Sequence, residues 1–303
     1  MKNRYKITIL FLMLITIFVL VQKSTVKTEY KKSVVVSTFA LYDIVKHIAK
    51  DTLHIVPLLP FGVDPHEYEP TPKTMISIEK SKLFLYSGAG LEPWIHGLSF
   101  KNETLDLSKI VQLHKLEEHD EKVHEGHHHE GIDPHYWLDV DNMKKMTKSI
   151  TKALIRIAPE HKKLYLKNED NYLLMLNRLD AELKNAFSSC LRDTIIVNHN
   201  AFGYMAQRYG FEVESLSGLS PDAQANAKSI INLIKMIKEH NVSTIFFESF
   251  VSDKAMRSIA QEADTKVDVL LPLANVSAED INASYEQLMK LNAAKLTKAL
   301  SCH

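Results

Sequence analysis

Short β-branched runs alternate with stretches of helical periodicity over most of the chain. Residues 33–37 read Ser-Val-Val-Val-Ser, and apolar side chains then recur every three or four residues from Leu41 to Ile48. The first pattern is typical of a buried strand and the second of an amphipathic helix. The alternation continues with predicted strands at 55–59 and 83–86 and a helix at Pro72–Lys80. Strand followed by helix is the unit that builds a parallel sheet.

The second half of the chain repeats this alternation after Cys190. Strands are predicted at 194–197, 211–214, 243–247 and 266–271, and helices are predicted to begin at 201, 221 and 252, with a last helix at 278–300. Between the halves, a helical pattern runs through Ile157, and Pro159 suits the first turn of a second, longer helix. One narrow apolar stripe marks that helix, which has about 28 residues and a length of about 42 Å. The stripe consists of Tyr172, Leu176, Leu179, Leu183 and Ala186.

The sequence therefore predicts an α/β fold with two lobes. We expect an N-terminal α/β lobe at 32–157 and a C-terminal α/β lobe at 190–303, each with a parallel sheet. A long rigid spine helix within 158–189 joins them. A length of 303 residues agrees with two domains, because single cores seldom grow beyond about 200 residues.

The first residues differ in character from the rest. Lys2, Arg4 and Lys6 precede an uncharged apolar stretch at 7–21, which is shorter than the ~20 residues of a straight membrane span. We interpret 1–26 as a secretory signal, or as an uncleaved N-terminal anchor, because no clear cleavage motif follows. Either way the body of the protein is exported, to the periplasm or to the outer face of the cytoplasmic membrane.

Charge and cysteine content narrow the picture further. The chain has 37 lysine and arginine residues and 37 aspartate and glutamate residues. It therefore has no excess positive charge of the kind that binds nucleic acid. Two cysteines, Cys190 and Cys302, lie far apart in the sequence. Export permits a disulfide between them, and two free buried thiols are the alternative.

Three histidines are the candidate metal ligands. Asp-Pro-His occurs twice, ending at His66 and His135, and His199 follows a β-branched run where a strand would end. Imidazole is a common zinc ligand, and a preceding proline restricts the backbone that presents it. Zinc favours four ligands, so three imidazoles leave one position for water or an acid.

A histidine-rich acidic loop at 114–131 separates the two Asp-Pro-His copies. Residues 124–128 read His-Glu-Gly-His-His, which satisfies the metallopeptidase pattern HExxH. That pattern requires a regular helix, whereas glycines and a lack of apolar residues favour a loop here. We interpret the loop as a weak collector of metal or as a solvated segment. It contains His114, His119, His124, His127, His128 and His129.

An ordered set of motifs carries a family resemblance. These are residues 62–70 around the first Asp-Pro-His, the histidine-rich loop, residues 133–139, the spine helix, Asn-His-Asn-Ala-Phe-Gly-Tyr at 198–204, and Ile-Phe-Phe-Glu at 245–248 followed by Ser-Asp-Lys at 252–254. From about 33 to 302 the chain resembles the zinc-binding solute receptors of bacterial ABC importers, the cluster A-I metal receptors. The resemblance implies a metal ion held in the cleft between two lobes and delivered to a membrane permease.

The resemblance also bears on the ligand set. Histidine at the position of His199 resembles the zinc-type receptors, whereas manganese-type members tend to carry glutamate there. Many relatives have an acid at the position of Leu271, and leucine cannot bind metal. The fourth position then falls to water, to a loop histidine, or to Asp268, Glu248 or Glu67. The family's C-terminal disulfide would tether Cys302, with Cys190 as a substitute partner.

The sequence therefore predicts a zinc receptor and not an enzyme. His66, His135 and His199 bind Zn²⁺ as the transported ligand, and no catalytic residue is assigned. The alternatives are an exported zinc hydrolase with Glu67 or Glu248 as base, a surface adhesin or zinc buffer of the same fold, and a manganese receptor. Expected partners are the zinc ion and an ABC permease. We expect a monomer that contacts the membrane through the permease, or through the anchor where it is retained.

Overall fold

A computed structural model describes residues 32–115, 131–216, 227–248 and 254–303. It contains two four-stranded parallel sheets, each with its own set of helices. The first sheet has the order β2-β1-β3-β4, from β1 (Ser33–Val36), β2 (His54–Pro57), β3 (Leu83–Tyr86) and β4 (Glu103–Asp106). The second has the order β6-β5-β7-β8, from β5 (Thr194–Val197), β6 (Glu212–Ser215), β7 (Thr244–Glu248) and β8 (Lys266–Leu270). The predicted fold of two α/β lobes is confirmed.

Helices connect and cover these strands. In chain order they are α1 (Phe39–Ala49), α2 (Pro72–Lys80), α3 (Val140–Ile157), α4 (Lys162–Ala186), α5 (Gly203–Tyr209), α6 (Ala227–Glu239), α7 (Lys254–Ala263) and α8 (Tyr285–Leu300). The starts predicted at 221 and 252 lie outside the described residues, as do the N-terminal segment 1–26 and most of the histidine-rich loop. No helix in the described ranges is long and apolar enough to cross a membrane.

Alternate residues of the central strands enter different cores. Val34 and Val36 of β1 join the same large apolar cluster as Ile195 and Val197 of β5, together with side chains of α1, α3, α4 and α8. Val35 faces the other way and packs with residues of α2 and β3. Successive side chains of a strand point to opposite faces, so a strand that is covered on both faces is apolar throughout. The large cluster joins the two lobes through the spine.

The spine helix matches its predicted stripe but begins later than expected. Pro159–His161 form a 3₁₀ turn, and α4 then runs for 25 residues from Lys162 to Ala186. The first four residues of the stripe are buried, and Ala186 is half-buried. The helix packs against α1, α3 and α8, which belong to both lobes.

The structure differs from the sequence-based predictions in further details. The last helix begins at Tyr285 rather than 278, because Ser284 and Gln287 form a capping box that fixes its start. Helix α5 begins at Gly203 rather than 201. Edge strand β4 was not predicted, because its sequence Glu-Thr-Leu-Asp lacks the β-branched run that marks the other strands.

A disulfide links Cys190 to Cys302, so the two thiols are not free. The bond closes a loop with a sequence separation of 112 residues. Cys190 precedes β5, and Cys302 follows α8, so the bond ties the C-terminus to the amino-terminal end of the second sheet.

Candidate metal centre

The three candidate histidines lie where the two lobes meet. His66 is in the loop after β2, His135 precedes the 3₁₀ turn Tyr136–Leu138, and His199 follows β5. Loops beyond the carboxyl ends of parallel strands form the usual ligand-binding crevice of α/β folds. The fold therefore brings together three side chains that are distant in the sequence.

The ring nitrogens of these histidines converge on one point. The Nε2 atom of His135 is 3.3 Å from Nε2 of His66 and 3.4 Å from Nε2 of His199. All three potential ligand atoms lie within 4.8 Å of one another. A tetrahedral zinc ion with Zn–N bonds of about 2.0–2.1 Å places neighbouring nitrogens about 3.3–3.4 Å apart. The donor set therefore fits a zinc ion in both chemistry and spacing.

Carboxylates hold the other ring nitrogens of the two buried histidines. Nδ1 of His135 is 2.8 Å from Oδ1 of Asp133, and Nδ1 of His199 is in contact with Oε1 of Glu248. A hydrogen bond from Nδ1–H leaves Nε2 with its lone pair free for a metal ion, and it raises the basicity of that nitrogen. The carboxylates thus select the tautomer that can bind a cation.

The repeated Asp-Pro-His sequence has a structural reason. In both copies the aspartate Oδ1 accepts a hydrogen bond from the backbone N–H of the histidine two residues later, at 2.8 Å for Asp64 and His66 and 2.9 Å for Asp133 and His135. This local turn aims the ring while proline fixes the backbone between them. The aspartates were not among the predicted site residues, although their spacing from each histidine was a visible signal.

Gly203 allows helix α5 to approach the Asp133 carboxylate. A Cβ atom at this position would lie 3.1 Å from Oδ2 of Asp133, which is closer than most Cβ contacts. The hydroxyl of Tyr204, the next residue, donates to the backbone carbonyl of Asp133 at 2.9 Å. The start of α5 in the second lobe therefore positions the first-lobe turn that carries His135.

Burial and charge differ among the three rings. His135 and His199 are each 1% exposed, whereas His66 is half-buried. Burial lowers the pKa of His199, but the adjacent Glu248 carboxylate, with smaller effects of Asp64 and Asp133, outweighs burial and raises this pKa above 6.5. The negative field around His199 favours a cation at the site.

The remaining wall of the cavity contains no acid in the ligand position. Pro272, Ala274 and Asn275 line it together with the Asp-Pro-His turn at 64–66, His135, His199 and Glu248. Of the acids considered from sequence, Glu248 reaches the cavity but contacts His199. Asp268 lies 3.0 Å from Lys295 Nζ, and neither it nor Glu67 lines the cavity. Leu271 is buried, also away from the lining.

The base of the histidine-rich loop lies close to this centre. The ring of His114 stacks on Tyr204 with a centroid distance of 3.9 Å, and Lys115 forms a β-bridge with Ile132. The backbone N–H of His114 donates to the hydroxyl of Tyr204 at 2.9 Å. The loop between them lies outside the described residues, as do five of its six histidines.

Comparison with known proteins gives matches over most of the chain. The profile of the family described as zinc-uptake complex component A periplasmic (ZnuA) matches residues 34–299. The high-affinity zinc uptake system protein ZnuA of Bacillus subtilis is 33% identical over 281 residues, which cover 89% of this chain and 88% of that protein. The zinc-binding lipoprotein AdcA of Streptococcus pneumoniae serotype 4 is 30% identical over 305 residues, covering 96% of this chain. The match spans 60% of the length of AdcA.

A solved structure shows the same arrangement of the chain. The laminin binding protein Lmb of Streptococcus agalactiae, described as a bifunctional protein with adhesin and metal transporting activity, superimposes with a TM-score of 0.80 at 27% identity. The superposition covers 89% of this chain and 99% of Lmb. The matched range, residues 34–299, contains the three candidate histidines. The chain therefore belongs to the ZnuA family, described as zinc-uptake complex component A periplasmic.

Proposed function

We propose that this protein is an extracytoplasmic receptor that captures Zn²⁺ between its lobes and delivers it to an ABC permease. His66, His135 and His199 are the proposed ligands. The observation that carries the proposal is that Nε2 of His135 lies at the spacing of a tetrahedral zinc site from Nε2 of His66 and from Nε2 of His199, with the three ligand atoms within 4.8 Å of one another. The zinc-related names of ZnuA and AdcA support the same cargo. An imidazole set also suits zinc better than manganese, which prefers oxygen ligands.

The arrangement of the acids argues against a zinc hydrolase. Such an enzyme needs a base that can take a proton from a metal-bound water. Glu248 is engaged by Nδ1 of His199, and Glu67 does not line the cavity. Water is the proposed fourth ligand, because Pro272 and Ala274 have no side-chain ligand atom and Oδ1 of Asn275 accepts a hydrogen bond from the N–H of Val276.

We further propose the organisation that accompanies this function. The proposed divisions are a signal or anchor at 1–26, an N-terminal lobe at 32–157, a linker helix at 158–189 and a C-terminal lobe at 190–303. The protein acts as a monomer at the outer face of the cytoplasmic membrane or in the periplasm. The permease provides its membrane contact, together with the anchor where it is retained.

Calorimetric titration of metal-free protein tests the proposed site. Wild-type protein is expected to bind one zinc ion tightly and manganese more weakly. The variant His199→Ala is expected to bind zinc more than about a hundredfold more weakly, because removal of a ligand costs more than the 10–100-fold of removing a supporting residue. His96→Ala, which changes an exposed histidine outside the cavity, serves as the control and is expected to bind as wild type does.

The histidine-rich loop needs a separate control. A chain without residues 117–131 is expected to retain one tight zinc site, since the three proposed ligands lie outside that segment. Weak binding at several sites, unchanged by His199→Ala and lost with the loop, would contradict the proposal.

The pH dependence of zinc binding is a second test. A proton on His199 competes with zinc, so affinity is expected to fall as pH decreases, and the raised pKa of this ring makes the fall begin at a higher pH than for an ordinary histidine. In Glu248→Gln the pKa of His199 is expected to return towards its ordinary value, so the fall begins at lower pH. The affinity at pH 8 is expected to drop about 10–100-fold with the loss of the supporting carboxylate.

Zinc affinity measured from pH 5.5 to 8 distinguishes these effects. Asp268→Asn is the matched control, because it neutralises an acid of the neighbouring strand that pairs with Lys295 outside the cavity. Its profile is expected to follow that of wild type. A Glu248→Gln profile identical to wild type would show that this carboxylate does not act on the site.

A further inference from the structure

We propose that Asn275 is a positioning residue for zinc binding, because its side chain reaches across the cleft and holds the loop that carries His66. Its role deepens the proposed function and rests on it. Asn275 belongs to the second lobe, follows β8 and lines the cavity of the candidate metal centre. Asn275 is not a proposed ligand and acts through His66.

Residues 272–276, which we call the cleft strap, are bonded to the first lobe along their whole length. Trp137 Nε1 donates to the carbonyl of Pro272 at 2.7 Å, and the N–H of Phe39 donates to the carbonyl of Ala274 at 2.8 Å. At the far end, the N–H of Gly62 donates to the carbonyl of Val276 at 3.2 Å. The strap therefore connects the second sheet to three separate segments of the first lobe.

The backbone of the cleft strap is held in an unusual conformation. Leu273 has a φ of +61° and is fully buried. Residues other than glycine rarely adopt this region, and such strain persists only where the surroundings over-determine it. The bonds to Pro272 and Ala274 on either side of Leu273 supply that constraint. The strap is thus a fixed point from which Asn275 extends.

The amide of Asn275 joins this fixed point to the loop of His66. Its Nδ2 donates to the carbonyl of Pro60 at 2.7 Å and to the carbonyl of Val63 at 2.8 Å, and its Oδ1 accepts from the N–H of Val276 at 2.8 Å. Both loop partners are acceptors, so only the NH₂ group can face them. Asn275 is 6% exposed, so water does not readily replace these bonds.

Residues 60–63, which precede His66, have little apolar packing besides these bonds. Pro60 and Phe61 are exposed, and Gly62 and Val63 are half-buried, so apolar packing constrains the loop weakly. His66 is also the least buried of the three histidines. Zinc–nitrogen distances tolerate deviations of only about 0.2 Å. Freedom at Val63, three residues before His66, therefore weakens zinc binding.

A double-mutant cycle tests this role. Asn275→Ala is expected to weaken zinc binding about tenfold in the wild-type background, by loss of its two hydrogen bonds to the loop of His66. In a His66→Ala background it is expected to change zinc affinity less than about twofold, because the ring that Asn275 positions is gone. Asn102→Ala is the matched control. The amide of Asn102 also makes two hydrogen bonds, to the carbonyl of Ile78 and to Ser81 Oγ, but within the first lobe and outside the cavity.

Competition with a chelator measures zinc affinity, and thermal unfolding of the metal-free proteins measures stability. A merely structural role lowers the Tm of Asn275→Ala and Asn102→Ala alike and leaves both zinc affinities unchanged, which would overturn the inference. The inference would also be overturned if Asn275→Ala reduced zinc affinity by the same factor in the wild-type and His66→Ala backgrounds. If His66→Ala alone binds zinc as wild type does, the proposed zinc site fails and this inference fails with it. If Asn275→Ala does not fold, Asn275→Ser is measured by the same criteria.

Discussion

Replacement of both Cys190 and Cys302 by serine is expected to lower the free energy of unfolding by about 4–5 kcal/mol. The disulfide closes a loop with a separation of 112 residues. In the chain-entropy model, closing a loop of that length lowers the entropy of the unfolded chain and so stabilises the native state by about this free energy. Guanidinium unfolding of the oxidised wild type and the double variant measures the difference.

Two comparisons make this test specific. Wild type under reducing conditions is expected to unfold like the double variant. Zinc affinity is expected to stay unchanged, because Cys190 precedes β5 and His199 follows it, so the disulfide and the histidines lie at opposite ends of the strand. Equal unfolding free energies of oxidised wild type and double variant would contradict the entropic role of the bond.

Arg208→Met is expected to destabilise the fold by about 3–5 kcal/mol. Arg208 lies on α5, and 10% of its side chain is exposed. Its Nε is 2.6 Å from Oδ1 of Asp180 on the spine helix, and its Nη1 is 3.2 Å from Oδ2 of Asp139 and 2.9 Å from Oδ2 of Asp141. The side chains of Arg208 and Asp180 are each about one tenth exposed. Arg208→Met therefore leaves a largely buried carboxylate with only the exposed Lys184 as cation among the described residues, and the loss of such a partner costs about this much.

Chemical denaturation at neutral pH measures this loss, with Arg156→Met as the matched control. Arg156 pairs with Glu103 on the surface, and exposed ion pairs contribute about 0–1 kcal/mol. Burial raises the pKa of Asp180, but Arg208 and Lys184 lower it overall to about 2. The contribution of this pair is therefore complete above the ordinary aspartate pKa and is lost as pH falls towards 2. Similar losses of unfolding free energy in Arg208→Met and Arg156→Met would contradict the larger contribution proposed for Arg208.

The fold could be predicted because most strands and helices show their own hydrophobic pattern within a short stretch of sequence. The β1 run Ser33–Val36 is buried at every position, as its β-branched pattern indicates. The spine was recognisable because Tyr172, Leu176 and Leu179 share one face and are all buried. Strand β4 was not recognisable, because a short polar edge strand is determined by pairing with β3 rather than by its own composition.

The candidate site was only half visible in the sequence. His66, His135 and His199 could be singled out because turns and strand ends present them. The contact of Glu248 with His199 depends on the pairing of β5 and β7, which no local pattern specifies. The cavity wall formed by Ala274 and Asn275 was missed, because neither residue type indicates metal chemistry and the cleft strap exists only when both lobes are in place.

The separation of the three histidines along the chain has a consequence for folding. His66 and His135 are 69 residues apart, and His135 and His199 are 64 apart, so an ion bound by all three is a removable crosslink between the lobes. Ligand that binds the native chain alone stabilises it by about 2.7 kcal/mol at a free concentration of 100 times Kd. Binding of the ion and folding of the chain are then thermodynamically linked. If the proposed site binds zinc, the protein is most resistant to unfolding with the ion bound, and release of the ion lowers its free energy of unfolding.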